Sequence, residues 1–278
     1  MKKFLESEIP DRPEAECLFH VVPAPCEKTV SYGSGTAKGP AAILEASYQL
    51  EAYDGVSCPC EQGIFTHDPA LTLETIAASV AHVLQRGKVP VMLGGEHTVT
   101  YGALKALKTA GEPFGLIQFD AHADLRDTYA GDKFSHACIM RRAVEMDIPL
   151  FQIGVRSMSL PEAELREALN IPHLDGYEMG QTGIPDNLLP AGFPEKVYIT
   201  FDVDGLDPSI MPSTGTPEPG GLDWFQAMTC LEKIASEKTV IGCDFVELAP
   251  IENLHAPDFL VARLVYNCMG MIARRHGT

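Results

Sequence analysis

Residues 115–124 read GLIQFDAHAD, and they indicate the fold class because a short apolar run changes abruptly into alternating charged and small residues. The run GLIQF has the length and character of a strand buried on both faces of a sheet. Directly after it, Asp120, His122 and Asp124 supply two carboxylates and an imidazole. Because sites in parallel sheets lie beyond the carboxyl ends of the strands, we expect this segment at such an edge.

The same arrangement occurs twice more. The run at 89–93, VPVML, continues into Gly94-Gly95-Glu96-His97, and the run at 197–201, VYITF, continues into Asp202-Val203-Asp204. Successive side chains of an extended chain alternate between faces, so residues two apart project together. Three separate strands are therefore predicted to bring carboxylates and imidazoles to one edge of one sheet.

The rest of the chain repeats this alternation of short apolar runs with longer amphipathic segments, which predicts an α/β fold of three layers, α/β/α, around a mostly parallel sheet. Six strands are predicted, over Cys17–Val22, Val89–Leu93, Phe114–Phe119, Leu150–Val155, Val197–Phe201 and Thr239–Phe245. Six helices are predicted, over Pro40–Glu51, Leu71–Gln85, Thr98–Lys108, Ser159–Leu169, Asp223–Glu237 and Asp258–Ala273, with Asp223 and Asp258 as start signals. No linker or repeat divides residues 1–278, so we expect a single domain with 1–16 as a loosely ordered lead-in.

Composition restricts the partners of this chain. Its 21 Lys and Arg residues against 38 Asp and Glu residues give a net charge of −17, the opposite of what binding to nucleic acid or an anionic membrane requires. The same charge favours small cations as partners. Eight dispersed cysteines and no signal-peptide pattern predict a reduced, cytoplasmic protein, and no apolar run is long enough to span a bilayer.

The six clustered side chains, His97, Asp120, His122, Asp124, Asp202 and Asp204, are more ligands than one ion ordinarily takes. Oxygen and imidazole donors without thiolate suit Mn²⁺ or a similar cation, and two ions sharing carboxylates use all six. A single Asp after a strand is more often a helix cap or turn residue. Three such motifs together are poorly explained by helix caps or turns. We therefore predict a binuclear metal site.

These motifs resemble the signatures of the ureohydrolases, the arginase and agmatinase family, in their residues, order and separation, over nearly the whole chain. The resemblance implies an arginase-like fold, two Mn²⁺ ions per subunit, and the six residues above as metal ligands. It also implies a homo-oligomer, a trimer or a hexamer. Glu96 occupies a position where the family often has Asp and is not expected to bind metal.

Two further residues are predicted to take part in catalysis. His136 lies in Phe134-Ser135-His136-Ala137, where the family has its proton-shuttling histidine and where a group titrating near neutrality is useful for hydrolysis. Glu247 follows the predicted strand Thr239–Phe245, and its carboxylate complements the paired N–H donors of a guanidinium. Asp124 is expected to orient the attacking water as well as to bind metal.

The resemblance implies hydrolysis of a guanidino group to urea and an amine. Residues 125–131, LRDTYAG, look like agmatinases, whereas arginases have short polar residues there, so agmatine is the predicted substrate and putrescine plus urea the products. Guanidinobutyrase, arginase or another guanidino-acid hydrolase remains an alternative within the family. Outside it, the alternatives are a metal-dependent amide or phosphoester hydrolase and a non-catalytic protein that binds metal or amines.

Overall fold

A computed structural model describes residues 2–276 of the chain, without the side chain of His276. The eight strands are β1 Phe19–Ala24, β2 Ile64–Thr66, β3 Val89–Gly94, β4 Gly115–Phe119, β5 Leu150–Ile153, β6 His173–Leu174, β7 Lys196–Asp202 and β8 Thr239–Val246. The α-helices are α1 Gly39–Ser47, α2 Leu73–Leu84, α3 Thr100–Ala110, α4 Ile139–Glu145, α5 Leu160–Ala168, α6 Gly176–Thr182, α7 Trp224–Glu237 and α8 Ala256–His276.

All eight strands form one sheet in the order β2-β1-β3-β8-β7-β4-β5-β6, and every pairing is parallel. The sheet separates two hydrophobic clusters. Side chains of α1, α7 and α8 pack in one cluster, and side chains of α2, α3 and α4 pack in the other. The predicted three-layer α/β/α class is confirmed, and the sheet is parallel throughout the described residues. None of the helices in this part of the chain is long and apolar enough to cross a membrane.

The six predicted strands and six predicted helices are present, with shifted ends. Asp223 caps α7 as predicted, since its side chain accepts a hydrogen bond from the Gln226 backbone N–H. The start signal at Asp258 was wrong: α8 begins at Ala256, and Asp258 lies in its first turn beside Pro257. Proline is well tolerated in a first helical turn because its missing N–H has no partner there in any case.

The N-terminal segment differs from the loosely ordered lead-in that was expected. Phe4 and Leu5 are buried in the core on the side of α1 and α8. The Phe4 backbone N–H donates to Thr66 Oγ1 at 3.0 Å, and that of Leu5 donates to Ser47 Oγ at 2.9 Å. This segment therefore packs on the edge of the sheet at β2. All eight cysteines carry free thiols.

Candidate metal centre

The strands that end at the candidate site are the four central ones, which lie side by side in the order β3-β8-β7-β4. His97 follows β3, Asp120 follows β4, Asp202 ends β7, and Glu247 follows β8. Because all four strands run in parallel, their carboxyl ends open on the same edge. The structure brings together all six residues predicted as metal ligands.

Two triads of potential ligands share one carboxylate. His97, Asp120 and Asp202 form the first, and Asp120, His122 and Asp204 form the second, each with one ligand atom per residue within 4.8 Å of the others. Asp124 Oδ2 lies 3.0 Å from His97 Nδ1. With Asp120 in both triads, the cluster has the donors for two adjacent ions that share a bridging carboxylate.

Local hydrogen bonds, rather than extended backbone, make these side chains converge. Asp120 Oδ1 accepts from the His122 backbone N–H at 2.6 Å, and Asp202 Oδ1 accepts from the Asp204 backbone N–H at 2.9 Å. Each is an Asx turn, in which an aspartate caps the backbone two residues on. The expected strand-like alternation was therefore wrong for these segments. Asp124 departs further, with a φ of 52°.

His97 is oriented so that one ring nitrogen faces the carboxylates. Its Nε2 lies 2.8 Å from Thr200 Oγ1, and that hydroxyl donates to Asp244 Oδ1 at 2.6 Å. Since the hydroxyl proton goes to Asp244, the Thr200 oxygen accepts from His97 Nε2–H, so Nδ1 is the nitrogen that faces the carboxylates and can bind a proton or a metal ion.

That Nδ1 is buried and has no hydrogen-bond partner of good geometry, although oxygens of Asp120, Asp124 and Asp202 lie 3.0–3.5 Å away. Burial opposes a charge on His97, but Asp120 and Asp124 outweigh it and raise its pKa well above the ordinary value, so this nitrogen takes up a positive charge, either a proton or a metal ion. The donor set and this unpartnered nitrogen fit a divalent metal pair.

The pKa values reflect crowded charge in a buried place. Burial, and then Asp120, raises the pKa of Asp124 to about 7, and burial followed by Asp204 raises that of Asp202 well above its ordinary value. Burial also raises the pKa of Glu247 to about 8. Burial opposes a charge on His122, but Asp120 and Asp204 outweigh it and raise its pKa to about 12. The cluster thus attracts positive charge, which is what a metal-binding site must do.

A cavity of about 290 Å³ opens above this cluster. Asp124, His122, His136 and Glu247 all line it, so the structure places both remaining predicted catalytic residues at the same cavity. Glu247 has a φ of 66°, and its Oε1 accepts from the His97 backbone N–H at 2.6 Å. Oε1 therefore already accepts one hydrogen bond. Because each carboxylate oxygen can accept two, the bidentate contact with a guanidinium stays a prediction.

His136 stands in a short 3₁₀ turn and is held by Thr29. The Thr29 hydroxyl donates to Glu96 Oε2 at 3.0 Å, lies 3.2 Å from His136 Nδ1, and accepts from the His136 backbone N–H at 3.0 Å. Glu96 also accepts from the backbone N–H groups of Lys28 and Thr29. Glu96 is therefore outside the ligand cluster, as expected, and fixes the segment that positions His136. Burial lowers the pKa of His136.

Several supporting residues were missed by the sequence analysis. Arg156 donates to the carbonyl oxygens of Asp204, Gly205 and Leu206 and to that of Glu218, so it joins the segment after β7 to the following loop. Asp244 was detectable as a carboxylate inside an otherwise apolar strand. Arg156 and Thr29 carried no signal, because their importance depends on contacts with segments distant in sequence.

Comparison with known proteins identifies the class. A family model described as the arginase family matches residues 18–270, and the chain belongs to that family. An N(1)-aminopropylagmatine ureohydrolase of Synechocystis sp. is 41% identical, over 97% of this chain and 93% of the relative. An agmatinase of Pyrococcus horikoshii is 31% identical over 97% of both chains. The crystal structure of an agmatine ureohydrolase of Thermoplasma volcanium superposes with a TM-score of 0.88 at 28% identity, over 100% of this chain and 96% of that one.

Proposed function

We propose that this protein hydrolyses the guanidino group of an alkylguanidine that also carries an amine, releasing urea. The observation that carries the proposal is the sharing of Asp120 by two ligand triads at the base of a cavity that also contains Glu247 and His136. The proposed cofactor is a pair of Mn²⁺ ions, held by His97, Asp120, His122, Asp124, Asp202 and Asp204. Such ions supply Lewis acidity, which makes water a nucleophile near neutral pH.

The roles of the protein groups follow from their positions. The Glu247 carboxylate binds the guanidinium and holds its carbon towards Asp124, which orients the attacking water and accepts its proton. The leaving nitrogen must be protonated, because an amide anion is too basic to depart. His136, with Nδ1 beside Thr29, has Nε2 free to exchange protons between this nitrogen and solvent. The balanced reaction is alkylguanidinium plus water to alkylammonium plus urea.

Two substrates fit this class. The segment at 125–131 argues against arginine but does not separate agmatine from its aminopropyl derivative. The Synechocystis relative, at 41% identity, is named for N(1)-aminopropylagmatine, while the Pyrococcus agmatinase is 31% identical. We therefore put N(1)-aminopropylagmatine first and agmatine, with putrescine and urea as products, second. A homo-oligomer, trimeric or hexameric, and a cytoplasmic location remain predictions.

The test is urea release by Mn²⁺-loaded protein offered N(1)-aminopropylagmatine, agmatine, arginine and 4-guanidinobutyrate side by side. We expect the highest kcat/KM for N(1)-aminopropylagmatine, the next for agmatine, and loss of both activities after chelation. Asp124→Asn should lower kcat about 10²–10⁴-fold, the range typical of a lost proton-transfer group. Asp186→Asn, at an exposed position, is the matched control. Urea from none of the four compounds would reject the proposal.

A further inference from the structure

A second group of imidazoles and a carboxylate lies at the β1–β2 end of the sheet, away from the catalytic cavity. Glu14 precedes β1, His20 lies within β1, His67 follows β2, and His82 belongs to α2. Glu14, His20 and His67 each offer a ligand atom within 4.8 Å of the others. None of the four is among the described residues that line the candidate active-site cavity.

Two close contacts hold this group together. His20 Nδ1 lies 2.8 Å from His67 Nε2, and His82 Nε2 lies 2.6 Å from Glu14 Oε1. The four side chains come from four different segments, which no local sequence pattern would bring together. The group therefore depends on the tertiary fold.

His20 is not explained by packing. It is fully buried, and its Nε2 has no hydrogen-bond partner of good geometry among the described residues. Its other nitrogen, Nδ1, faces His67 Nε2 at 2.8 Å, so this side of the buried ring is the one that could hold a ligand. A buried imidazole in contact with a second imidazole indicates a role in binding.

The ionisation of the group suits metal binding. Burial, and then His67, lowers the pKa of His20 to about 4, and burial is also the main cause that lowers the pKa of His67. The hydrogen bond from His82 lowers the pKa of Glu14. At neutral pH the chain thus presents neutral imidazoles and an ionised carboxylate, the forms in which these groups bind metal.

We propose that Glu14, His20 and His67 bind a Zn²⁺ ion, with His82 orienting the Glu14 carboxylate and the fourth coordination position open to solvent. Two imidazoles and a carboxylate with one open position are a common donor set for zinc. Tetrahedral coordination places two imidazole nitrogens about 3.3 Å apart, so the observed 2.8 Å pair needs only a small separation when the ion replaces the shared proton.

The ion would connect one edge of the sheet to its neighbours. Strand β2 has three residues and pairs only with β1 among the described strands. Glu14 lies before β1, His20 lies within β1, and His67 follows β2. An ion bound to all three would connect these three segments. Metal binding of this kind contributes directly to folding stability. The expected effect of the ion is therefore to stabilise this edge of the sheet.

The test counts zinc ions on the full-length protein. Metal-free protein is dialysed against buffered Zn²⁺, and bound zinc per chain is measured by atomic emission. We expect three ions on the wild type, two at the candidate active site and one at the sheet edge, and two on His67→Gln. His255→Gln, at an exposed position, should keep three. Zinc should also raise the melting temperature less in His67→Gln than in His255→Gln.

A second ligand variant, Glu14→Gln, tests the site independently in case His67→Gln does not fold. Glu14 is half-buried, with 35% of its side chain exposed, so Glu14→Gln removes a ligand with little change in packing. Circular dichroism establishes that each variant is folded before counting. Two ions on the wild type, or equal numbers on the wild type and on both folded ligand variants, would overturn the proposed site. Neither result bears on urea release.

Discussion

At the residue scale, Thr29 shows how one hydroxyl can set the chemistry of a neighbour. Its proton goes to Glu96, its oxygen accepts from the His136 backbone N–H at 3.0 Å, and the same oxygen lies 3.2 Å from His136 Nδ1, which Ser135 Oγ also approaches to 3.2 Å. We expect Thr29→Val to lower kcat about 5–10-fold, because it removes the hydroxyl contacts that hold the His136 segment, each worth about 1 kcal/mol. Steady-state urea release measures the effect, with little change expected in KM.

The conservative variant separates positioning from general damage. Thr29→Ser keeps the hydroxyl and should restore most of the turnover. Thr109→Val, which removes an exposed hydroxyl on α3, should leave kcat unchanged. If Thr29→Ser were as impaired as Thr29→Val, the methyl group rather than the hydrogen bond would be responsible, and the assigned role of Thr29 would be wrong.

At the scale of the element, the turn after β3 depends on a close approach of two backbone segments. A Cβ on Gly95 would lie 2.1 Å from the Cys26 carbonyl oxygen, while the Gly95 backbone N–H donates to Ala24 and its carbonyl accepts from Glu247. We expect Gly95→Ala to destabilise the protein by about 3 kcal/mol, since the two segments must separate. Urea-induced unfolding of metal-free protein measures this change.

The matched substitution is Gly180→Ala. A Cβ on Gly180 meets no atom within 4 Å, and the residue lies inside α6. Alanine is the better helix former, so this variant should be neutral or more stable by up to about 1 kcal/mol. Equal stability of the two variants would show that the close contact at Gly95 relaxes without cost.

The elements also show where sequence reasoning succeeds. Buried central strands are continuous apolar runs, so all four strands that carry the site were predicted from composition alone. Strands β2 and β6 have three and two residues, and segments this short show no detectable hydrophobic pattern. Helix α6 contains two glycines within seven residues, which hides its helical pattern. The strand order was not predictable, because it depends on contacts between distant segments.

The candidate site also has features that the sequence predicts and features that it does not. Its six clustered side chains were predicted because each follows a recognisable strand, and the parallel arrangement brings the ends of those strands to one edge of the sheet. The positive φ of Asp124 and the Asx turns at Asp120 and Asp202 were not predictable. They depend on hydrogen bonds whose geometry the residue types alone do not specify.

At the scale of the whole molecule, the four central strands concentrate carboxylates where solvent cannot screen them. Asp120, Asp124, Asp202, Asp204 and Glu247 are all buried, in a chain whose net charge is already −17. Folding without a cation must bring these groups together in a low dielectric, which is unfavourable. Stability and the capacity to bind metal are therefore in opposition in this protein.

We therefore expect one substitution to raise the stability of the metal-free protein and to lower that of the metal-bound protein. In metal-free protein, Asp202→Asn removes one of the crowded charges and should raise stability by about 1–3 kcal/mol, at roughly 2–4 °C per kcal/mol in melting temperature. In saturating Mn²⁺ the same variant should melt below the wild type, because it loses a ligand and therefore the stabilisation that binding supplies, about 2.7 kcal/mol at a hundredfold excess over Kd. Differential scanning calorimetry with and without Mn²⁺ measures both changes.

The control for that experiment is Asp223→Asn. Asp223 is exposed at the start of α7, and asparagine caps a helix about as well as aspartate, so both melting temperatures should match the wild type. Two results would contradict the argument. If Asp202→Asn destabilised the metal-free protein, the carboxylate would be a net stabilising group through its hydrogen bond to the Asp204 backbone. If Mn²⁺ raised the melting temperatures of the variant and the wild type equally, Asp202 would not bind the metal.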